Sequence, residues 1–266
     1  VNVTKDVVSS GTGIRMIEEE ILAMGDPYEG EIVPGENDPY YDREFGWYYQ
    51  VIDGKKVAYQ KDGTGVAYNK TCLNDTREGG ESHVAVTGNV AADDTAVSIA
   101  MTEQQSILEM TVDGTVDGGK HAIVLSEETV LGDNLKMTVW EVKENDQGNI
   151  VERCKVTGEE GNEKKTYTGD REAEKLIQYI IRIEDSSRSY IATAGTRDFA
   201  AGNGETYQVA NQGDKVLVKL SIPDGKELVG AYWDVAQSEK GKLLKDSEGN
   251  YYLEVPRGGG VQLSLI

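Results

Sequence analysis

The chain has 266 residues, enough for one large domain or two to three small ones. Its 47 acidic residues against 27 basic ones leave a formal charge of −20, which argues against nucleic acid and anionic membranes as partners, because both need clustered Lys and Arg. No run approaches the roughly 20 apolar residues of a membrane span, so no membrane insertion is expected.

Tyrosine is abundant, with 14, while phenylalanine is nearly absent, with 2. Tyrosine suits half-exposed strand faces, where the ring packs and the hydroxyl stays wet. Glycine at 31 against proline at 5 indicates tight turns rather than extended linkers. Because the chain starts on Val1 rather than Met, a mature or trimmed chain is expected.

In chain order, GIRMIEEEILAM over residues 13–24 has helical spacing. Ile14, Ile17, Ile21 and Leu22 share a stripe, Thr12 stands at the N-cap position, and Gly25-Asp26-Pro27 ends it. Residues 26–46 form an acidic, aromatic, turn-rich stretch holding three of the five prolines. GWYYQVIDGKKVAYQ then reads as a hairpin with Asp53-Gly54 at its turn.

From His83 onward short β-patterned runs recur (HVAVTGNV, TAVSIAM, SILEMTV, KHAIVL, LKMTVWEV, NIVERCKV), separated by Gly, Asp and Asn. That spacing points to antiparallel sandwiches. In LKMTVWEVK, alternation places Val139, Glu141 and Lys143 on one face and Trp140 with Val142 on the other. No repeat of 20–50 residues is evident. DREAEKLIQYIIRIED over 170–185 reads as a helical turn running into a strand. TAGTRDFAAGNGE, with little periodicity, is the best candidate for a domain boundary.

Beyond Tyr207 the pattern parses as strands near 207–210, 215–221, 227–235, 242–245, 250–255 and 261–266. Pro223-Asp224-Gly225 and Asp246 to Asn250 make turns. Gly258 to Gly260 form a corner that needs positive φ, between YYLEVP and the final VQLSL strand. The GDKVLV start, the IPDGKELVGAYW strand pair and the YYLEVPRGGGVQLSL ending resemble the small Ig-like β-sandwich modules of secreted and wall-anchored Gram-positive bacterial proteins. The resemblance covers residues 207–266 and implies a fold and an extracellular or cell-surface setting, and no reaction.

The chemistry-bearing residues are few. The two histidines, His83 and His121, both sit inside β runs, and a Cys–His site would need Cys72 or Cys154 beside one of them. A Cys72–Cys154 disulfide is allowed; closing so long a loop could contribute on the order of 4 kcal/mol, and pairing cannot be read from sequence. Zinc spacing is absent. Glu36-Asn37-Asp38 with Asp42, Asn145 to Asn149, and Asp246 to Asn250 have the flavour of calcium loops without the required ligand spacing, so no cofactor is expected and calcium is the one candidate ion.

One cluster stands out: Tyr40, Tyr41, Phe45, Trp47, Tyr48 and Tyr49. Exposed aromatic faces stack on sugar rings or anchor protein partners, whereas buried ones pack a small domain. Tyr40, Tyr41, Trp47, Tyr48 and Tyr49 are therefore the candidate ligand-binding residues.

The sequence thus leads to a mainly β protein of tandem antiparallel Ig-like sandwiches with a short N-terminal helix. The expected division is 1–88 (helix plus hairpin), 89–203 (a middle sandwich that could merge with 1–88) and 204–266 (the Ig-like module). The expected role is non-enzymatic adhesion or display at a bacterial surface, toward a glycan or surface-protein ligand. A carbohydrate-binding module built on the aromatic cluster is the first alternative, and a glycan-active enzyme with an acidic pair the second.

Overall fold

The computed structural model describes residues 2–19, 41–42, 47–52, 55–59, 66–71, 81–101, 107–159, 161–201, 204–225, 231–235 and 240–265. The protein is mainly β, as expected, but its first two thirds are not an antiparallel sandwich. The chain winds through stacked coils, and each coil runs first through one sheet and then through the other.

The first coil holds β1 (Asn2–Val3), β2 (Val7–Ser9) and β3 (Thr12–Glu19). Within the long excursion that follows lie β4 (Tyr41–Asp42), β5 (Trp47–Ile52) and β6 (Lys55–Tyr59), an antiparallel sheet of their own, and β7 (Val66–Thr71), which pairs parallel to β3. The second coil is β8 (Glu81–Val86), β9 (Val90–Ala92) and β10 (Thr95–Ala100). The third is β11 (Ile107–Gly118) with β12 (His121–Ser126), and the fourth β13 (Leu135–Val142) with β14 (Val151–Thr157). Strands β1, β8, β11 and β13 are parallel neighbours in one sheet; β3, β10, β12 and β14 are parallel neighbours in the other.

The register shows a repeat. Val7, Val90, Val116 and Val142 stand side by side, with a step of 26 residues from 90 to 116 and again from 116 to 142. Ile14, Val97, Ile123 and Val151 form a second ladder, and all eight residues are buried. The first step, from 7 to 90, is 83 residues, because the β4–β7 excursion lies inside it. Burying each Val or Ile stabilises the stack by roughly 1.5–3 kcal/mol, and neighbouring coils supply most of the cover.

The residue before each ladder valine is polar and joins one coil to the next. Asp6 Oδ1 accepts the Asn89 N–H (2.7 Å), Asn89 Oδ1 accepts the Thr115 N–H (2.8 Å), and Thr115 Oγ1 donates to Glu141 Oε2 (3.0 Å). A third ladder of Met16, Ile99 and Leu125 ends on Arg153 in the fourth coil. Its guanidinium donates to the Ser126 and Thr129 carbonyls at 3.0 and 2.7 Å and to Asp170 at 2.6 Å, so the charge is paired where the apolar row stops.

The expected N-terminal helix is instead strand β3 over Thr12–Glu19; residues 20–24 lie outside the described residues. Ile14 with Ile17 fits helical spacing, Ile14 with Met16 fits strand alternation, and the waiting edge of β10 decides between them. Gly13 belongs to that packing, since a Cβ there would come within 2.6 Å of the Ala96 carbonyl oxygen. The expected two-face alternation of β13 also fails: Val139, Trp140, Glu141 and Val142 are all buried. The chain turns a corner here, opposite a register shift between Val112 and Thr115 of β11, so Val139 and Val142 share the main core while Trp140 packs with Ile180 and Val209.

Beyond the fourth coil, β15 (Lys164–Gly169) folds back antiparallel on β14. The expected helical turn and strand follow as α1 (Arg171–Glu174) and β16 (Ile177–Ile183). Asp170 caps α1, its Oδ1 accepting from the Glu172 and Ala173 N–H groups. Then come a 3₁₀ turn (Asp185–Ser187), β17 (Ile191–Ala194), β18 (Arg197–Ala200), β19 (Thr206–Asn211) and β20 (Lys215–Leu220). The last strands are β21 (Ala231–Val235), β22 (Lys240–Lys242), β23 (Leu244–Lys245), β24 (Tyr251–Glu254) and β25 (Val261–Leu265). The strands expected near 207–210, 215–221, 250–255 and 261–266 are present within one or two residues, whereas the one expected near 242–245 is two, β22 on β21 and β23 on β24, and residues 227–230 lie outside the described residues.

The C-terminal strands are locally antiparallel. β17, β20, β24 and β23 make one sheet, while β21 and β25 join β16 in the other. Strand pairs run across residue 203: β17 with β20, and β18 with β19. The triple glycine fastens this region to the fourth coil. Gly258, Gly259 and Gly260 have φ of 84°, 71° and 72°. The Val142 N–H donates to the Gly258 carbonyl, and the Gly260 N–H to that of Trp140. A Cβ on Gly259 would lie 2.1 Å from the Tyr179 ring.

Candidate functional site

The richest concentration of chemistry-bearing side chains lies where β12, β14 and β15 meet. His121 opens β12 in line with Thr95 of the coil below. Its Nδ1 lies 2.6 Å from Glu152 Oε2; the imidazole is 16% exposed and the carboxylate 4%. Asn149 Nδ2 donates to the other Glu152 oxygen at 3.4 Å. The Tyr167 ring stacks on the imidazole, centroids 3.9 Å apart, because β15 returns antiparallel with Tyr167 opposite Cys154.

The Tyr167 phenol bonds to the Cys154 thiol. Burial first, then the charge and hydrogen bond of Cys154, and then Asp94 and Glu152, push its pKa to about 12. It therefore stays a neutral donor at physiological pH. Beside this group, Arg15, Asp94, Ser98, Cys154, Lys165 and Tyr167 line a depression of about 210 Å³ on the outer face of the sheet. The arrangement can bind a small polar group or lock the β15 flap onto the fourth coil. The His121 imidazole stacks on the Tyr167 ring, and Tyr167 stands opposite Cys154 in the β14–β15 register, so Tyr167 links the two.

The other histidine and the buried carboxylates are also engaged. His83 lies on the exposed face of β8, 3.2 Å from Glu109. The buried carboxylates among the described residues are Glu141, Glu152 and Glu174, bound to Thr115, His121 and Arg257 respectively. Arg257 reaches both oxygens of Glu174, at 2.6 and 3.0 Å, and also bonds Glu144. Burial would raise the Glu174 pKa, but the hydrogen bonds and charge of Arg257, with Arg171, outweigh it and hold the carboxyl below its ordinary range.

The sequence-selected residues are spread over the molecule. Tyr41 lies in β4, and Trp47, Tyr48 and Tyr49 in β5; Tyr40 and Phe45 lie outside the described residues. The backbone register sets Tyr41 opposite Tyr48, and Tyr48 opposite Tyr59 of β6. Cys154 is a free thiol, and Cys72 lies outside the described residues. Of the calcium-like loops, Asn145 Oδ1 accepts from the Gln147 and Asn149 N–H groups, and Asp246 Oδ1 from those of Glu248 and Asn250, so these oxygens close their own turns. Residues 36–38 lie outside the described residues.

Sequence reasoning passed over the His121–Glu152–Tyr167 group, whose members are brought together by coil stacking. The signal that could have found it is the coil repeat, since DVVSSGTGIRMI (6–17), NVAADDTAVSIA (89–100) and TVDGGKHAIVLS (115–126) align without a gap. No protein-family model, curated protein or solved structure matches this chain.

Proposed function

We propose that this is a non-enzymatic, extracellular bacterial surface protein, in which the coil stack is a rigid spacer for adhesion or display. The observation that carries the reading is the filled interior of the stack, where the Val7 and Ile14 ladders run through four coils. Such a stack contacts only neighbouring coils and holds an inserted hairpin at one end and a terminal module at the other. The locally antiparallel strands of 204–266 support the Ig-like reading of the C-terminal module. The charge of −20 suits a solvated exterior. The test is a broad glycosidase and peptidase panel with the purified chain. No turnover is expected; turnover abolished by His121→Ala or Glu152→Gln would overturn the reading.

A carbohydrate-binding role for Tyr40, Tyr41, Trp47, Tyr48 and Tyr49 is favoured by one observation. Tyr41, Tyr48 and Tyr59 fall on a single register line across three neighbouring strands. A glycan array then shows binding that Trp47→Ala or Tyr48→Ala weakens at least tenfold. An array without binding, or binding unchanged in both variants, removes this reading.

A further inference from the structure

The excursion inside the first coil builds a small antiparallel sheet of its own, with β5 between β4 and β6. Its register sets Tyr41 opposite Tyr48 and Asp42 opposite Trp47 on one side of β5. On the other side it runs from Tyr48↔Tyr59 through Tyr49↔Ala58 and Gln50↔Val57 to Ile52↔Lys55. Residues directly opposite one another share a face, and neighbours along a strand alternate between faces. Tyr41, Tyr48 and Tyr59 therefore occupy one row on one face of the sheet. Trp47 and Tyr49 belong to the opposite face. The aromatic candidates are thus divided, and Tyr59, which the sequence did not single out, joins two of them.

The spacing of the row suggests what it fits. Because β5 is antiparallel to both neighbours, Tyr48 makes a hydrogen-bonded pair on one side and a non-hydrogen-bonded pair on the other, at Cα separations of about 5.5 and about 4.5 Å. The outer two positions are then about 10 Å apart, two strand spacings. A pyranose chain whose links are all equatorial runs extended and advances by about one strand spacing per ring. Three consecutive rings of such a chain match the three tyrosines. Equatorial links also leave the axial C–H bonds on the flat faces of each ring, the surface that stacks on an aromatic side chain. An α-linked chain coils and loses the match.

The rest of the face agrees with an uncharged ligand. Its other described positions are Gln50, Ile52, Lys55 and Val57, none of them acidic, in a chain with 47 acidic residues. Asp42 belongs to the opposite face. Gln50 stands one row along β5 from Tyr48, and an amide of that kind both donates to and accepts from sugar hydroxyls.

We propose that the Tyr41–Tyr48–Tyr59 row binds an extended, equatorially linked, neutral polysaccharide, which crosses the three strands with one ring on each tyrosine. This deepens the carbohydrate-binding reading and rests on it. The ligand is a chain of at least three rings rather than a single sugar, and Tyr59 is a third binding residue.

The experiment is isothermal titration calorimetry of the full chain with three oligosaccharide series, each from one to six rings: β-1,4-linked glucose, β-1,4-linked N-acetylglucosamine and α-1,4-linked glucose. In one or both β-linked series, affinity should rise about fivefold or more per ring up to three rings and then stay level within about threefold. The α-linked trimer should bind at least tenfold more weakly. Tyr59→Ala should move the break from three rings to two, as should Tyr41→Ala from the other end, while Tyr59→Phe, which keeps the ring, leaves it at three. The length series on the parent chain needs no variant, so it tests the row even where a substitution unfolds the sheet. A break at another length, equal binding of the α-linked series, or a break unmoved by Tyr59→Ala would overturn the proposal and leave the carbohydrate-binding reading standing. Absence of binding in all three series overturns the proposal as well, and the wider reading falls with it only if the glycan array is also empty.

Discussion

The coil stack and the C-terminal strands are both β structure, yet they are held by different kinds of neighbour. In the stack, the partner of Val116 is 26 residues away in either direction, and every ladder is parallel. In the C-terminal region most pairs are antiparallel and several close through a short turn, as β23 and β24 do around Asp246 and Gly249. A local hairpin carries its own register in its turn residues. A parallel coil takes its register from residues a full coil away, and no single turn specifies it.

The sharpest way to break the comparison is at the joint between the two regions. Gly259 has φ of 71°, and its missing Cβ leaves room for Tyr179 and the Trp140 carbonyl. Gly259→Ala is expected to cost on the order of 3 kcal/mol or more in urea unfolding, through strain and overpacking together. A loss under about 1 kcal/mol would mean the corner is not packed as described. Next comes the ladder itself: Val116→Ala should cost about 2–3 kcal/mol. Hydrogen exchange should quicken at Val90 and Val142 as well as at residue 116, because the three are stacked. Val218→Ala, in the antiparallel sheet, should quicken exchange locally and leave the coils protected.

The Arg257–Glu174 pair gives an effect of similar or smaller size, because the arginine is partly solvated. Arg257→Met should cost about 2 kcal/mol at neutral pH. Glu174 has a folded pKa held below its ordinary value, so its contribution is present above that ordinary value and is lost as pH falls through the folded one. Thermal melts from pH 6 downward should therefore show an acid limb that is shallower in Arg257→Met than in the parent chain. Parallel limbs would show that the pair contributes nothing. The smallest effect is expected at Asn89, whose Oδ1 accepts the Thr115 N–H: Asn89→Ala should cost about 1 kcal/mol.

What was legible in the sequence follows the same division. The C-terminal strands, the α1–β16 junction and the β5–β6 hairpin were read from turn residues and alternation, both local signals. The glycine corner was read as a demand for positive φ, and all three glycines have it. The GIRMIEEEILAM stripe misled because Ile14 with Ile17 satisfies the helical period while Ile14 with Met16 satisfies the strand period, and the deciding partner, β10, begins 83 residues after β3 does. The coil repeat was hidden by the 83-residue first step and by conservative exchange within each rung, Ile14 beside Val97 beside Ile123. The His121 group was invisible for the same reason, since nothing in residues 121, 152 and 167 taken singly shows that they meet.

The central claim is that successive coils lie side by side in register, and spin-label distances test it most directly. Val8, Ala91 and Asp117 occupy equivalent positions in three coils. With Cys72 and Cys154 replaced by serine, nitroxides at 8 and 91, and then at 8 and 117, should show backbone spacings of about 4.8 and about 10 Å, one and two strand separations. Dipolar broadening that weakens in that order is the expected result. A separation beyond about 20 Å for the 8–117 pair, several strand spacings too far, would contradict the stacked-coil fold.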